Sequence, residues 1–332
     1  MADFQKKLLD IRDLTVQFDT DSGVVHAVNH LNMQLEEGKA LGFVGETGAG
    51  KTTTALAILQ LIQSPPGEIT SGEIWFKGQN VREMTEAELR NMRGREIAMI
   101  FQDPMTSLNP IMTVEEQIME MISLHSDLKG GEVRERALEM MRLVGIRPER
   151  GKDYPHQFSG GMRQRVGIAI ALACKPSLLI ADEPTTALDV TIQAQVLELI
   201  KELQKQVRTS MLLITHDLGI VAETCDSVAI MYAGHLVEYA DIRHLYGNPL
   251  HPYTQGLFDA VPDLESPISE KLAVIQGLPP DPTNLPRGCS FSPRCPYARE
   301  ECLEKPCGMR EIEPGHFIDC YFPQAYKGGS RA

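Results

Sequence analysis

The sequence of 332 residues contains no apolar run approaching the ~20 residues that a membrane-spanning helix requires. Its longest, Val166-Gly-Ile-Ala-Ile-Ala-Leu-Ala-Cys174, is far shorter. Any membrane role is therefore expected to come through partner chains. The segment Met1 to Asp13 mixes charges with single apolar residues, so neither a secretory signal nor a membrane anchor is expected, and the chain is expected to stay inside the cell. A basic excess is also missing: Asp and Glu number 45 against 32 Lys and Arg, a formal net charge of -13. Gripping nucleic acid or anionic lipid needs clustered Lys and Arg, so neither is expected as the main task. Cysteine is scarce outside one stretch. Of the seven, Cys289, Cys295, Cys302, Cys307 and Cys320 crowd into 289–320, while Cys174 and Cys225 sit in apolar, helix-like surroundings. Tandem repeats and low-complexity tracts are lacking as well.

What is present reads as an α/β chain with a large core, for which 42% hydrophobic content is ordinary. Alternating segments at Asp10–Phe18 and Val28–Leu35 predict antiparallel strands with one wet face. Short, almost wholly apolar runs at Ala40–Val44, Ile97–Phe101, Leu178–Ala181, Met211–Thr215 and Val228–Tyr232 predict buried strands of a parallel sheet, separated by helical stretches such as Ile192–Val207. Between about 105 and 165 strand signals vanish. Thr113 stands as a helix cap with Glu116 three residues on, and Val133–Val144 ends before Gly145, which predicts a helical insertion. Beyond about 247 the composition changes: 13 of the 21 prolines lie between Pro249 and Pro323. A domain boundary is placed there, giving 1–247 and 248–332.

Gly45-Glu46-Thr47-Gly48-Ala49-Gly50-Lys51-Thr52 fits G-x-x-x-x-G-K-[ST], follows a buried strand and opens a helix predicted over Thr53–Ile62. Glycines there let backbone N–H groups wrap phosphates, Lys51 reaches the β and γ oxygens, and Thr52 offers a hydroxyl to Mg²⁺. The second half is Leu178–Glu183, a buried strand delivering two carboxylates at its C-terminal end, where open α/β sheets bind ligands. Asp182 would hold Mg²⁺ through water and Glu183 would act as general base on the attacking water. His216, after the next buried strand, is placed to contact the γ-phosphate and that water.

Kinases, GTPases and helicases share such a phosphate loop. The distinguishing segment is Phe158-Ser159-Gly160-Gly161-Met162-Arg163-Gln164-Arg165, which resembles the signature of ABC nucleotide-binding domains. The resemblance implies that the amides of Ser159, Gly160 and Gly161 bind the γ-phosphate of ATP held by an opposite subunit. Phe158 and Met162 depart from the Leu-Ser-Gly-Gly-Gln consensus, but the phosphate-facing residues are intact. In the family's order, Phe18 matches the aromatic that stacks on adenine, Gln102 the Q-loop glutamine that also serves Mg²⁺, Ala187-Leu-Asp189 the D-loop and His216 the switch histidine. Coverage is roughly 8–245. The implied fold is a P-loop NTPase ABC domain with an antiparallel β subdomain, a helical subdomain over about 105–165 and a Cys/Pro-rich C-terminal extension. Met105 to Met112 would lie near the contact with membrane subunits.

A narrower resemblance runs through Gln102-Asp-Pro-Met-Thr-Ser-Leu-Asn-Pro110, Asn248-Pro-Leu-His251-Pro252-Tyr253-Thr254 and Gly288-Cys-Ser-Phe-Ser-Pro-Arg-Cys-Pro-Tyr-Ala298. These are similar to the dipeptide and oligopeptide importer ATPases. The implied partners are a second homologous ATPase, two transmembrane permeases and an extracytoplasmic substrate-binding protein, with the chain peripheral on the cytoplasmic face of the membrane. Nickel and glutathione remain open as cargo, because related importers share this ATPase type.

The cysteine spacings are wider than the C-x2-4-C pairs of structural zinc. In a reducing cytosol a metal or cluster is expected before disulfides, with zinc and unliganded thiols as alternatives. Some members of the importer family carry a 4Fe-4S cluster here, and the resemblance implies Cys289, Cys295, Cys302 and Cys320 as its ligands, with Cys307 a near alternative. Three rival functions fit the sequence less well. A soluble ABC ATPase of DNA repair would need basic stripes or coiled-coil arms, translation-factor ABC proteins normally carry two cassettes, and a regulatory module would not retain the whole catalytic set.

Overall fold

The structure is a computed structural model describing residues 7–102, 107–186, 188–261 and 274–325. The chain divides into two compact units: one of 1–9, 35–40 and 76–214, the other of 10–34, 41–75 and 215–332.

The first unit carries three parallel strands, Ile97–Ile100, Leu178–Asp182 and Ser210–Thr215, in that order. Leu178–Asp182 and Ser210–Thr215 are buried at every position, which is why they read as unbroken apolar runs. Register runs Ile97 opposite Leu178 and Asp182 opposite Ile214. The helical insertion is also here. Helix Val114–His125 opens with Thr113 Oγ1 accepting from the Glu116 amide at 3.3 Å while Glu116 Oε2 accepts from the Thr113 amide at 2.8 Å. Helix Gly131–Leu143 stops at Gly145, whose φ of 75° lets the Ile146 amide reach back to Met141 O. The longest apolar run of the sequence lies largely in helix Gly160–Leu172, buried at Val166, Ile168, Ala169, Ala171 and Leu172. Among the described residues no helix is long and apolar enough to cross a membrane.

The second unit contains strands Lys7–Thr20, Gly23–Glu36 and Gly67–Phe76, with Lys7–Thr20 in the middle. Only Asp21 and Ser22 join the first two, a connection that only antiparallel strands allow. Gly67–Phe76 carries no clean alternation and was not foreseen. Ala40–Val44, Ser227–Tyr232, His235–Asp241, His316–Ile318 and Arg310–Glu313 neighbour one another in that order within a larger sheet. The first pair is parallel and the rest antiparallel. Ala233 and Gly234, at φ 46° and 82°, form the two-residue hairpin turn that admits positive φ at both positions. Helix Lys51–Ile58 is shorter than the predicted Thr53–Ile62. Gln60 at φ 52° ends it, with the Leu61 amide on Leu56 O and the Gln60 amide on Ala57 O.

Residues after 247 share this unit's core. Tyr253, Phe258 and Phe291 pack with Val228, Ile230, Tyr232 and Leu245. The fully buried Glu238 carboxylate accepts the amides of Leu250 (2.7 Å) and His251 (3.0 Å) and the ring of His316 (2.7 Å). A buried carboxylate is stable only when so surrounded, and here the partners are the start of the Pro-rich segment and its late strand.

Local geometry sets two expectations for stability. Burial pushes the pKa of His251 down to about 4, with Glu238 opposing, and Nδ1 accepts the Tyr253 amide at 3.0 Å, as only an unprotonated nitrogen does. The unfolded chain takes up a proton near pH 6.5 that the folded chain refuses until about pH 4. Stability present above the unfolded value is therefore lost as pH falls through that window, to the extent of roughly 3 kcal/mol. Urea unfolding from about pH 7.5 to 4.5 should show this decline, and His251→Asn, which keeps a helix-capping acceptor, should reduce it, leaving the share of His235, whose pKa burial also pushes down to about 4. Arg208, exposed and at φ 56°, follows helix Val190–Val207 in the left-handed conformation. Arg208→Gly should raise the unfolding free energy by about 0.5–1 kcal/mol, and Arg208→Val should lower it.

Candidate nucleotide site

Each unit holds part of the residue set that the sequence singled out. In the second unit, strand Ala40–Val44 delivers Gly45 to the foot of the phosphate loop, and two glycines there are obligatory. A Cβ on Gly45 would stand 2.1 Å from Met231 O, and one on Gly50 would stand 2.2 Å from Ala27 O, with φ at 99° besides. The Gly234 amide donates to Ala49 O at 3.0 Å, tying the loop to the hairpin turn. Lys51 is buried, with Nζ donating to Gly45 O (2.7 Å) and Glu46 O (3.0 Å), so its ammonium lies curled over its own loop. Thr47, Gly48 and Thr52 are exposed, Thr53 half-buried. Gly50 caps helix Lys51–Ile58, whose amino end presents backbone donors to an anion.

Two further candidates belong to this unit. The half-buried Phe18 ring lies against Gly67, where a Cβ would meet Phe18 Cε1 at 2.7 Å. His216 is exposed at the end of Ser210–Thr215, directly before Asp217, which caps helix Leu218–Thr224 through the amides of Gly219 and Ile220.

In the first unit, Asp182 ends its strand at 2% exposure and Glu183 follows. Glu183 is a non-glycine at φ 43°, held there by its amide on Ile214 O at 2.9 Å. Strain of this kind persists only where surroundings enforce it, and it gathers at functional positions. Gln102 Nε2 donates to Glu183 Oε2 at 3.0 Å, and Thr186 Oγ1 donates to the same oxygen at 2.9 Å. The structure thus joins two predicted residues, Gln102 and Glu183, that stand 81 positions apart, and adds Thr186, which sequence reasoning missed. Ser159 caps helix Gly160–Leu172, its hydroxyl accepting from the Met162 amide at 3.4 Å. Gly161 is required by packing, since a Cβ would meet Ile192 Cγ2 at 2.5 Å. Asp189 is exposed and caps helix Val190–Val207 through the Ile192 amide at 3.0 Å. Met105 of the predicted membrane-facing segment and Ala187 of the predicted D-loop lie outside the described residues.

The predicted iron-sulfur cluster is corrected by the structure. Cys289, Cys295, Cys302, Cys307 and Cys320 do converge, lining one cavity with Phe291, Tyr297 and Phe322. Among the described residues, however, no group of three or more His, Cys, Asp or Glu side chains is placed to hold a metal ion, which removes zinc as well. The cavity measures about 20 Å³, room for about one water. Burial pushes the Cys289 thiol up to about 11 and the Cys320 thiol up to about 12. The convergence is built by backbone contacts. The Cys289 amide bonds to Cys302 O at 2.8 Å, and a Cβ on Gly288 would come within 2.2 Å of that oxygen.

The remaining residue missed by sequence reasoning is Arg294, which makes a two-pronged ion pair with Glu46 of the phosphate loop. It lies 248 positions away, within the quoted Ser292-Pro293-Arg294-Cys295 stretch, and no spacing rule connects the two.

The chain is similar to known proteins along most of its length. Residues 28–186 match the family model described as ABC transporter, and 237–302 match the oligopeptide/dipeptide transporter C-terminal region. The chain is 50% identical over 316 residues to a probable peptide ABC transporter ATP-binding protein of Sinorhizobium fredii, covering 95% of this chain and 94% of that one. It is 50% identical over 314 residues to an oligopeptide transport ATP-binding protein of Bacillus subtilis, covering 94% and 88%. To the dipeptide transport ATP-binding protein of Escherichia coli it is 45% identical over 318 residues, covering 95% and 97%. These relatives are named as transport ATP-binding proteins. Among solved structures, a dimeric ATP-binding cassette in a post-hydrolysis state with ADP and Pi matches at a TM-score of 0.64 and 26% identity, over 71% of this chain and 99% of that one. The protein cbiO1 of Clostridium perfringens, part of an ABC transporter complex, matches at 0.62 and 27%, over 73% and 91%. On the strength of half-identity along nearly its whole length, the chain belongs to the ABC transporter ATP-binding proteins of the oligopeptide/dipeptide family.

Proposed function

We propose that this chain is the ATP-hydrolysing subunit of an importer that energises uptake of di- or oligopeptides through partner permeases. The observation that carries the reading is the presence, in one chain, of a phosphate loop, an ABC signature and the peptide-family extension, with about half of all positions identical to peptide transport ATP-binding proteins.

Lys51 and the amides of Gly45–Thr53 bind the phosphates, and Phe18 stacks on the adenine. Thr52, Gln102 and Asp182 would hold Mg²⁺, which would neutralise charge on the phosphates. Glu183 takes the proton of the attacking water, held for that task by Gln102 and Thr186, and His216 orients the same water against the γ-phosphate. Ser159, Gly160 and Gly161 serve the nucleotide of a second, homologous ATPase, and Asp189 lines the junction between the two. Binding at both junctions favours the closed pair and hydrolysis the open one, so the work reaches the permeases as a shift of populations. The remaining partners are two transmembrane permeases and an extracytoplasmic substrate-binding protein, and the chain sits peripherally on the cytoplasmic face. Residues 1–247 form the nucleotide-binding domain and 248–332 the family's extension.

Glu183→Gln keeps shape and hydrogen bonding but removes the base. It should bind MgATP like the parent, turn over at least about 100-fold more slowly, and accumulate a closed dimer. Hydrolysis near the parent's rate would exclude Glu183 as the base. The full chain isolated with its companions should bring down membrane permeases, whereas ribosomes or DNA in their place would overturn the transport reading.

A further inference from the structure

The phosphate loop of this chain contains a carboxylate. Glu46 is its second residue, and a negative charge beside a loop that embraces a polyanion weakens binding through like-charge repulsion. The structure shows what holds that charge. Arg294 Nη1 donates to Glu46 Oε2 at 2.9 Å and Arg294 Nη2 to Glu46 Oε1 at 3.2 Å, a fork matched to both carboxylate oxygens.

Arg294 is itself fixed. Its side chain is 6% exposed, Nε donates to Gln276 O (3.1 Å), Nη2 to Ile275 O (3.3 Å) and Nη1 to Tyr232 Oη (3.2 Å). The peptide of Glu46 is held independently, its amide donating to Tyr253 Oη at 3.0 Å. That tyrosine is fully buried in an aromatic cluster, with ring centroids 4.6 Å from Tyr232 and 5.4 Å from Phe291. Side chain and backbone of one loop residue are thus both gripped by residues that follow position 247.

We propose that Arg294 and Tyr253 are positioning residues for the phosphate loop, Arg294 neutralising and restraining the Glu46 carboxylate and Tyr253 fixing the Glu46 peptide, so that the C-terminal extension sets the affinity for MgATP. The inference rests on Gly45–Thr52 being the phosphate loop. An unpaired Glu46 would weaken triphosphate binding by its charge, and an unheld Glu46 peptide would cost the ordering of the loop at every binding event. Neither residue touches the reacting atoms, so the effect belongs to KM far more than to kcat.

The test uses the full chain, titrated with a fluorescent ATP analogue in the presence of Mg²⁺, and the assembled transporter for steady-state hydrolysis. Folding of each variant is checked by circular dichroism and thermal melting. Binding by the parent chain tests the loop assignment first; its failure there would fault that assignment and not the role of Arg294. Given binding, Arg294→Ala should raise Kd and KM about tenfold, the scale of a lost charge-assisted bond, with kcat within about twofold of the parent. Tyr253→Phe, which removes one hydroxyl, should raise Kd about threefold to fivefold. The decisive arm is Glu46→Gln combined with Arg294→Ala: removing the orphaned charge should restore most of the lost affinity. A role confined to packing the extension predicts the same loss whether position 46 carries the carboxylate or its amide. Should Arg294→Ala fail to fold, Arg294→Gln, which keeps part of the side chain's bulk and hydrogen bonding but carries no charge, takes its place in the same comparison. Affinity within about twofold of the parent in the folded arginine variant, or no recovery in the double variant, overturns the proposal.

Discussion

The phosphate loop has almost no room, and the second unit is arranged around that fact. Gly45 runs so close to Met231 O, and Gly50 to Ala27 O, that a single methyl would lie 2.1 Å from a carbonyl oxygen at the first and 2.2 Å at the second. The loop keeps its shape only while strands Ser227–Tyr232 and Gly23–Glu36 keep theirs. The hairpin turn ties these together, since Gly234 donates to Ala49 O and accepts from the Asn29 amide at 2.8 Å. A backbone held this closely is already organised for a polyanion, and little ordering is left to do at the moment of binding.

The Pro-rich region is integrated into the same unit by polar contacts as much as by apolar ones. Glu238 holds two successive amides and a histidine in full burial, while Tyr253, Phe258 and Phe291 fill space beside Tyr232. These contacts account for the convergence of the cysteines without any metal. The Cys289–Cys302 backbone bond and the close approach of Gly288 bring the thiols together, and apolar burial pushes the Cys289 and Cys320 thiols up. Spacing along the chain carries information about proximity, but the protonation state of a thiol is decided by what surrounds it.

In the first unit the functional chemistry is concentrated at the end of one strand. Leu178–Asp182 is buried throughout and apolar until its last residue, and the chain then turns through a strained Glu183 whose carboxylate is already bonded to Gln102 and Thr186. The signature helix rests against Val190–Val207 at the distance that Gly161 allows, and both helices are capped by candidate residues, Ser159 and Asp189. Capping and ligand binding draw on the same property, the unsatisfied amides of a helix start.

By itself the sequence determined the buried parallel strands, because two-sided burial leaves an unbroken apolar run, and the helical insertion, because Thr113, Glu116 and Gly145 are local signals with local geometry. It determined the phosphate loop for the same reason, since Gly45, Gly50 and Lys51 act within one short stretch of chain. Tertiary structure alone decided what depends on distant groups: strands Gly67–Phe76, Arg310–Glu313 and His316–Ile318, whose partners supply their order, and the end of helix Lys51–Ile58, where Gln60 accepts a conformation its side chain disfavours. It also decided the chemistry of the cysteines and the pairing of Glu46 with Arg294. Burial and long-range contact are properties of the folded chain, and local patterning does not encode them.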